Sequence, residues 1–347
     1  QSGASDAPTR TRRIMVSGAD RHVVCFGCNP LWSSTQDLLM VRWSDQESPV
    51  DWTPTVTNTS GSQRLSSGSE IMAVQKTRQE MLIWTDSALH SMRFTGPPFT
   101  FGFSMLANNV SIIGPNAAAT TGDKVFWMDR ENFYAYTGRV EIIPCTLLRY
   151  VFDDINLDQS FKCFAAANKM FDEVFWFYPS AASDEIDRYV KYNITENTWD
   201  LGTLSRTAWV DHGIHNNPRA CGKASGSSYV YIQETGDSDD GAAMSSFIES
   251  ADFDLGDGEQ FMFVSRLIPD IDITSTDSSA AVNVLKTRNY PGDSLATNST
   301  SVVTSSTQQS FLRSRSRQVS LRIESSASDL TWTLGDLRLD LKPDGRR

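Results

Sequence analysis

The chain has 347 residues, 39% of them hydrophobic, which is enough for two domains or one large closed β architecture. Five cysteines are too few for a disulfide scaffold at this length, and no apolar run approaches the roughly 18 residues of a membrane span. The formal charge of −11 is uneven: residues 311–347 carry +3 and the first 310 carry −14, which excludes broad gripping of DNA phosphates but suits a passage through which DNA slides.

From the N-terminus, short β-branched and aromatic runs alternate with turns rich in Asp, Asn, Gly and Ser, and helical periodicity is scarce. Val24–Phe26, Leu82–Trp84, Val125–Trp127, Val174–Trp176 and Tyr229–Tyr231 are the plainest runs, their last residues 58, 43, 49 and 55 positions apart. Second runs follow at Leu38–Trp43, Leu89–Phe94, Phe133–Tyr136 and Arg188–Tyr192. A hairpin repeat of roughly 40–50 residues is the signature of propeller blades, with a β-sandwich of accidental rhythm as the competing architecture. Radial packing covers both faces of each small sheet and shortens its exposed edges. Trp84, Trp127 and Trp176 then fill the spaces between neighbouring blades. The stretch Leu147–Asn156 is the place for one short helix.

Cys25 and Cys28 have metal or redox spacing, but no second CxxC or nearby His pair completes a site, so they read as small buried hydrophobes near a strand. His212 and His215 flank a Gly-Ile pair beside Asp211 in an Asn-rich stretch and read as surface histidines. No basic residue lies between Lys223 and Arg266, while nine acids fall from Glu234 to Glu259. Within them Asp237, Asp239 and Asp240 before Gly241 approach a calcium loop, but one residue is missing and Glu249 misses the closing position. Asp153 with Asp154, or Asp252 with Asp254, could serve as paired glycosidase carboxylates. Asp252 and Asp254, however, share one strand face at period two, where a solvated acidic face is the default. The chain has no G-x-S-x-G elbow, Walker loop, G-x-G-x-x-G or H-E-x-x-H.

Residues 1–259 therefore read as a propeller-like domain of hairpin repeats and 260–347 as a smaller, sandwich-like β-domain. Within the latter, 16 of the 37 residues at 274–310 are Ser or Thr, which predicts a long exposed loop or a hairpin tip. Strands are expected at Phe261–Leu267, Ile271–Thr274, Ser316–Glu324, Leu330–Leu334 and Asp336–Leu341. Arg313, Arg315 and Arg317 alternate with Ser, so a strand would project them as one row toward DNA phosphate or toward an acidic neighbouring subunit.

Seven stretches carry a family resemblance: Arg42–Pro54 (RWSDQESPVDWTP), Arg64–Glu70 (RLSSGSE), Gly96–Phe103 (GPPFTFGF), Tyr150–Leu157 (YVFDDINL), Gly202–Trp209 (GTLSRTAW), Glu249–Gly258 (ESADFDLGDG) and Arg338–Arg347 (RLDLKPDGRR). In this order they resemble the tail-nozzle proteins of podovirus-type phages, also labelled packaged DNA stabilisation or tail tubular protein B. The resemblance implies an all-β chain, a β-propeller followed by a small β-sandwich-like domain. The family carries a further region ahead of the matching part, so the propeller is expected to be incomplete at its N-terminus. It also implies a virion tail protein, assembled in the host cytoplasm as a homo-hexameric ring. The ring would meet the tail adaptor (the head-to-tail connector) and tail fibres or spikes. It would hold packaged double-stranded DNA and conduct it without sequence-specific binding. No enzyme activity, metal, cofactor or membrane partner is implied. Asp237, Asp239, Asp240, Asp252, Asp254 and Asp257 are the candidates for an acidic lumen, and the Arg313, Arg315 and Arg317 row for a subunit contact or DNA-facing patch. The competing class is a receptor-binding or glycan-degrading tail protein on the same scaffold.

Overall fold

A computed structural model describes residues 4, 6–18, 20–224, 226–274, 281–328 and 330–346. They are nearly all β, in small antiparallel sheets, and divide into two units, Gln1–Glu234 and Thr235–Arg347. The division falls ahead of the expected 259/260 boundary, because Ser246–Glu249 pairs with Gln318–Ser325 inside the second unit.

The first unit is a run of five sheets, each a meander of consecutive strands. The first holds β1 (Arg13–Val16), β2 (Val23–Phe26), β3 (Met40–Trp43) and β4 (Gly61–Arg64). The second holds β5 (Ile71–Lys76), β6 (Glu80–Thr85), β7 (Ala88–Gly96) and β8 (Thr100–Asn108). The third holds β9 (Ala118–Thr121), β10 (Lys124–Met128), β11 (Phe133–Tyr136) and β12 (Val140–Ile143). A short helix α1 (Leu148–Asp154) follows, within the stretch expected to be helical. The fourth sheet holds β13 (Phe164–Asn168), β14 (Glu173–Tyr178), β15 (Arg188–Asn193) and β16 (Thr198–Thr203); the fifth holds β17 (Ala208–Val210), β18 (Arg219–Ala224) and β19 (Ser227–Ile232).

Strand alternation gives each inner sheet two apolar faces, and each face meets a different neighbour. On β6, Met81 and Ile83 share a core with Val24, Phe26, Val41 and Trp43 of the first sheet. Leu82 and Trp84, one position on, join Val125 and Trp127 of the third. On β14, Val174, Trp176 and Tyr178 pack toward the third sheet, whereas Phe175 and Phe177 join Trp209 of the fifth. The three predicted tryptophans are fully buried at these junctions, and Trp84 meets Trp127 edge-on with ring centroids 5.3 Å apart. Burying one such side chain contributes on the order of 2–3 kcal/mol.

First strands of successive sheets are neighbours. Lys76 Nζ donates to the Val16 carbonyl at 3.2 Å, and Gln75 Nε2 to Thr120 Oγ1 at 2.7 Å. Asn116 bridges Phe164 in parallel, where the Ala165 N–H donates to the Asn116 carbonyl at 2.8 Å. The fifth sheet breaks the pattern of two covered faces. Trp209 and Ala220 point toward the fourth sheet, while Val210, Val230 and Ile232 on the opposite face are exposed.

The second unit contains a four-stranded sheet ordered β20 (Ser246–Glu249), β26 (Gln318–Ser325), β23 (Ala281–Arg288) and β24 (Ala296–Val303). A three-stranded sheet joins β25 (Ser314–Ser316), β21 (Met262–Ile268) and β28 (Arg338–Pro343), and β22 (Ile271–Thr274) pairs with β27 (Thr331–Leu334). Met262, Val264 and Leu267 share a core with Leu285, Val319 and Leu321, so two layers face each other. Of the two expectations for the Ser/Thr-rich stretch 274–310, the described residues show the hairpin and not one long loop. Its residues 281–288 and 296–303 are strands of one hairpin, because Thr and Val are strong strand formers once a neighbour supplies hydrogen bonds. Residues 275–280 of the expected loop lie outside the described residues.

Candidate functional site

The acidic run predicted to face a passage is mostly solvated. Asp237, Asp239, Asp240, Asp254 and Asp257 are exposed, and among the described residues none of the five forms an ion pair. Asp239 pairs with Ala242 across a tight turn in which Asp240 and Gly241 have φ of 50° and 85°. That turn presents carboxylates outward and does not wrap them around a centre. Among the described residues no cluster of three or more His, Cys, Asp or Glu side chains is arranged to hold a metal ion.

Asp252 stands apart from this solvated group. It is largely buried and pairs with the Arg288 guanidinium, whose Nε also donates to Gln318 Oε1 at 2.9 Å. Beside it Glu249 accepts from Lys286 at 2.7 Å and from Arg322 at 3.1 Å. Burial acts to raise the Glu249 carboxyl, but the hydrogen bonds and charges of Lys286 and Arg322 outweigh it and hold the group below its ordinary range. Arg322 closes the network by pairing with Glu324 at 2.6 Å and lying 3.8 Å over the Phe247 ring.

The arginine row has the expected alternation, with Ser314 and Ser316 buried and Arg313 and Arg315 exposed. Arg315 donates to Asp344 at 2.5 Å and stacks 4.2 Å over Phe261. Arg317 is half-buried, 4.9 Å over Phe261 and 5.7 Å over Tyr290. Arg313 alone of the three has neither an ion pair nor a ring contact among the described residues.

A second polar cluster, unmarked in the sequence, gathers at one end of the fourth and fifth sheets. Glu173 begins β14, is largely buried, and accepts from Lys191 Nζ of β15 at 2.9 Å. Lys191 also lies 3.4 Å from Asp200 of β16. Burial acts to lower the Lys191 ammonium, but the hydrogen bond and charge of Glu173, with the charge of Asp200, outweigh it and raise it. Glu234, just past β19, accepts from Asn168 Nδ2 at 3.0 Å. Glu234 is exposed overall, but desolvation of its carboxyl and then the negative charge of Glu173 push it above the ordinary range. The result is a salt-bridged carboxylate beside a second carboxyl that keeps its proton more readily. Next to it a cavity of about 350 Å³ is lined by Ile214, His215, Asn216, Asn217, Arg219 and Ile232. His212 Nδ1 lies 2.9 Å from Asp211 Oδ1 of its own neighbour.

The CxxC pair is buried, Cys25 within β2 and Cys28 just beyond it. Burial pushes the Cys25 thiol up to about 11 and the Cys28 thiol to about 12. The Cys28 thiol donates to the carbonyls of Cys25 and Met40, both at 3.6 Å.

No protein-family model and no curated protein matches the chain. Among solved structures it is similar to the extracellular domain of a one-component system from B. thetaiotaomicron, with 10% identity and a TM-score of 0.37, covering 67% of this chain and 33% of that one. It is also similar to an exo-β-1,3-galactanase from Phanerochaete chrysosporium, with 9% identity, a TM-score of 0.31, and 94% and 95% of the two chains covered. A glycoside hydrolase overlaps at 10% identity and a TM-score of 0.28, covering 94% and 96%.

Proposed function

We propose that this chain is a structural subunit of a short-tailed phage tail nozzle, built as an open β-propeller with an appended two-layered β-domain. The propeller reading is supported by five successive meanders whose faces interlock in chain order and whose first strands adjoin. An open propeller leaves a sheet face for another body, and the exposed Val210, Val230 and Ile232 on the fifth sheet fit that arrangement. Ring assembly, the adaptor and fibre partners, the virion location and the hold on packaged DNA rest on the family resemblance of seven ordered stretches.

One observation supports the conduit role: the acids Asp237, Asp239, Asp240, Asp254 and Asp257 are exposed and form no ion pair among the described residues. A DNA passage must not neutralise phosphates, since releasing condensed counterions would bind the duplex and stall it. Uncompensated carboxylates within roughly a Debye length, about 8 Å at physiological salt, keep the duplex from adhering. Asp252, paired to Arg288, belongs to the structural network and not to this surface. The glycan-degrading alternative would draw on Glu173 and Glu234, but Lys191 already holds Glu173 in a salt bridge.

The test is charge reversal of Asp237, Asp239 and Asp240 to Lys in phage particles. Assembly proceeds and genome ejection slows, most strongly at low salt. Ejection kinetics unchanged in fully assembled particles would remove the conduit role from these acids.

A further inference from the structure

We infer that the four-stranded sheet of the second unit continues from one copy of this chain into the next, by antiparallel pairing of β24 with β20. These are the two edges of that sheet: β24 carries no charge and no proline, and β20 is a four-residue strand whose one charge is Glu249. From Ser294 to Leu312 there is no charged residue and no proline, and β24 occupies eight positions of that run. Natural edge strands of this length are ordinarily guarded by lysine, proline or a covering segment. An unguarded one is a template for another strand. Among the described residues neither outer edge makes backbone hydrogen bonds to another strand.

Strand direction selects the partner. Each neighbouring pair in the order β20, β26, β23, β24 is antiparallel, so β24 runs opposite to β20. A second copy placed alongside therefore meets β24 with its own β20 in antiparallel orientation, with no reversal of either sheet. Exposed apolar side chains lie on both edges: Phe247 is 51% and Ile248 50% exposed on β20, and Val302 is 61% exposed on β24. Pairing β24 with another β24 would leave Phe247 and Ile248 in water, whereas the head-to-tail contact covers both edges at once. Charge does not oppose it. β24 has none, and the single charge of β20, Glu249, is neutralised within its own chain by Lys286 and Arg322. A head-to-tail contact between identical chains closes into a ring or runs on as a filament. The inference stands on strand order and surface chemistry and holds whatever the assembly conducts.

Cross-linking tests it in a Cys221→Ser background, which removes the exposed natural thiol. Val302→Cys combined with Phe247→Cys, oxidised at assembling concentration, gives a ladder of covalent multimers on non-reducing gels, and each single substitution gives none. A ladder that fails to form overturns the inference. So does a covalent dimer from Val302→Cys alone, which reports symmetric β24 pairing. In sedimentation velocity, Val302→Lys and Phe247→Lys each weaken self-association at least tenfold with unchanged circular dichroism, and Val302→Lys with Phe247→Glu recovers it. Undiminished association in both lysine variants, or a wild-type chain monomeric at every concentration, overturns it as well. A ring seen by microscopy without the cross-link removes this contact and leaves the nozzle reading standing.

Discussion

At the residue scale the stability of the first unit concentrates in a few side chains whose identity the sequence advertised. Trp84, Trp127 and Trp176 are each fully buried, and each is the last residue of a recognisable apolar run. Trp84→Ala would open a cavity between the second and third sheets and cost about 3–5 kcal/mol, read from the urea midpoint. A loss under about 1 kcal/mol would mean that the junction is not packed as described. The cysteines give a second prediction. Cys221 is exposed, whereas Cys25, Cys28 and Cys163 are buried and their thiols are raised to about 11, 12 and 12. Labelling at pH 8 should modify Cys221 first in the native protein and reach the buried three only on unfolding. The sign of the pH effect follows. Below the ordinary thiol value of 9.0 these groups are protonated in both states, and above it the unfolded chain ionises first. Their contribution to stability is therefore complete below about pH 9 and is lost as pH rises toward 11 and 12.

At the element scale the sequence is legible where a strand is a dense run of β-branched and aromatic residues. The plainest runs fall on β2, β6, β10, β14 and β19, and the runs that follow them on β3, β7, β11 and β15. Outer strands were not legible. Gly61–Arg64 (GSQR) has little strand propensity of its own and Ala118–Thr121 (AATT) carries no large apolar side chain, and both pair with a neighbour that offers hydrogen-bonding groups. Two outer-strand glycines are covered by aromatic rings from directly opposite residues, Gly61 by Trp43 and Gly202 by Tyr189. A Cβ on Gly202 would sit 2.5 Å from the Tyr189 ring, which itself lies 5.4 Å from Phe175. Gly202→Ala should cost about 1–3 kcal/mol through overpacking, measurable by thermal unfolding, and a neutral result would show that Tyr189 is free to move. The Glu173, Lys191 and Glu234 cluster escaped the sequence for a related reason. Lys191 is 18 positions from Glu173, Glu234 is 66 from Asn168, and only sheet pairing brings them together. The one available signal was a lysine set within the strand Arg188–Asn193, opposite Phe175.

At the scale of the whole molecule, composition and charge exclude a broad DNA grip, and the hairpin rhythm anticipated a series of small sheets. Which acids stay free was not readable. Asp252 and Asp254 look equivalent at period two, yet one is paired to Arg288 of β23 and the other is exposed. The Ser/Thr-rich stretch is an edge hairpin, which composition alone does not distinguish from a polar loop. The fold leaves the apolar face of the fifth sheet exposed and the β20 and β24 edges unpaired, and the proposed assembly would cover them. Electron microscopy of the purified chain at assembling concentration tests that claim most directly. The nozzle account predicts hexameric rings around a lumen wide enough for duplex DNA, and a monodisperse monomer with a closed acidic cleft would contradict it.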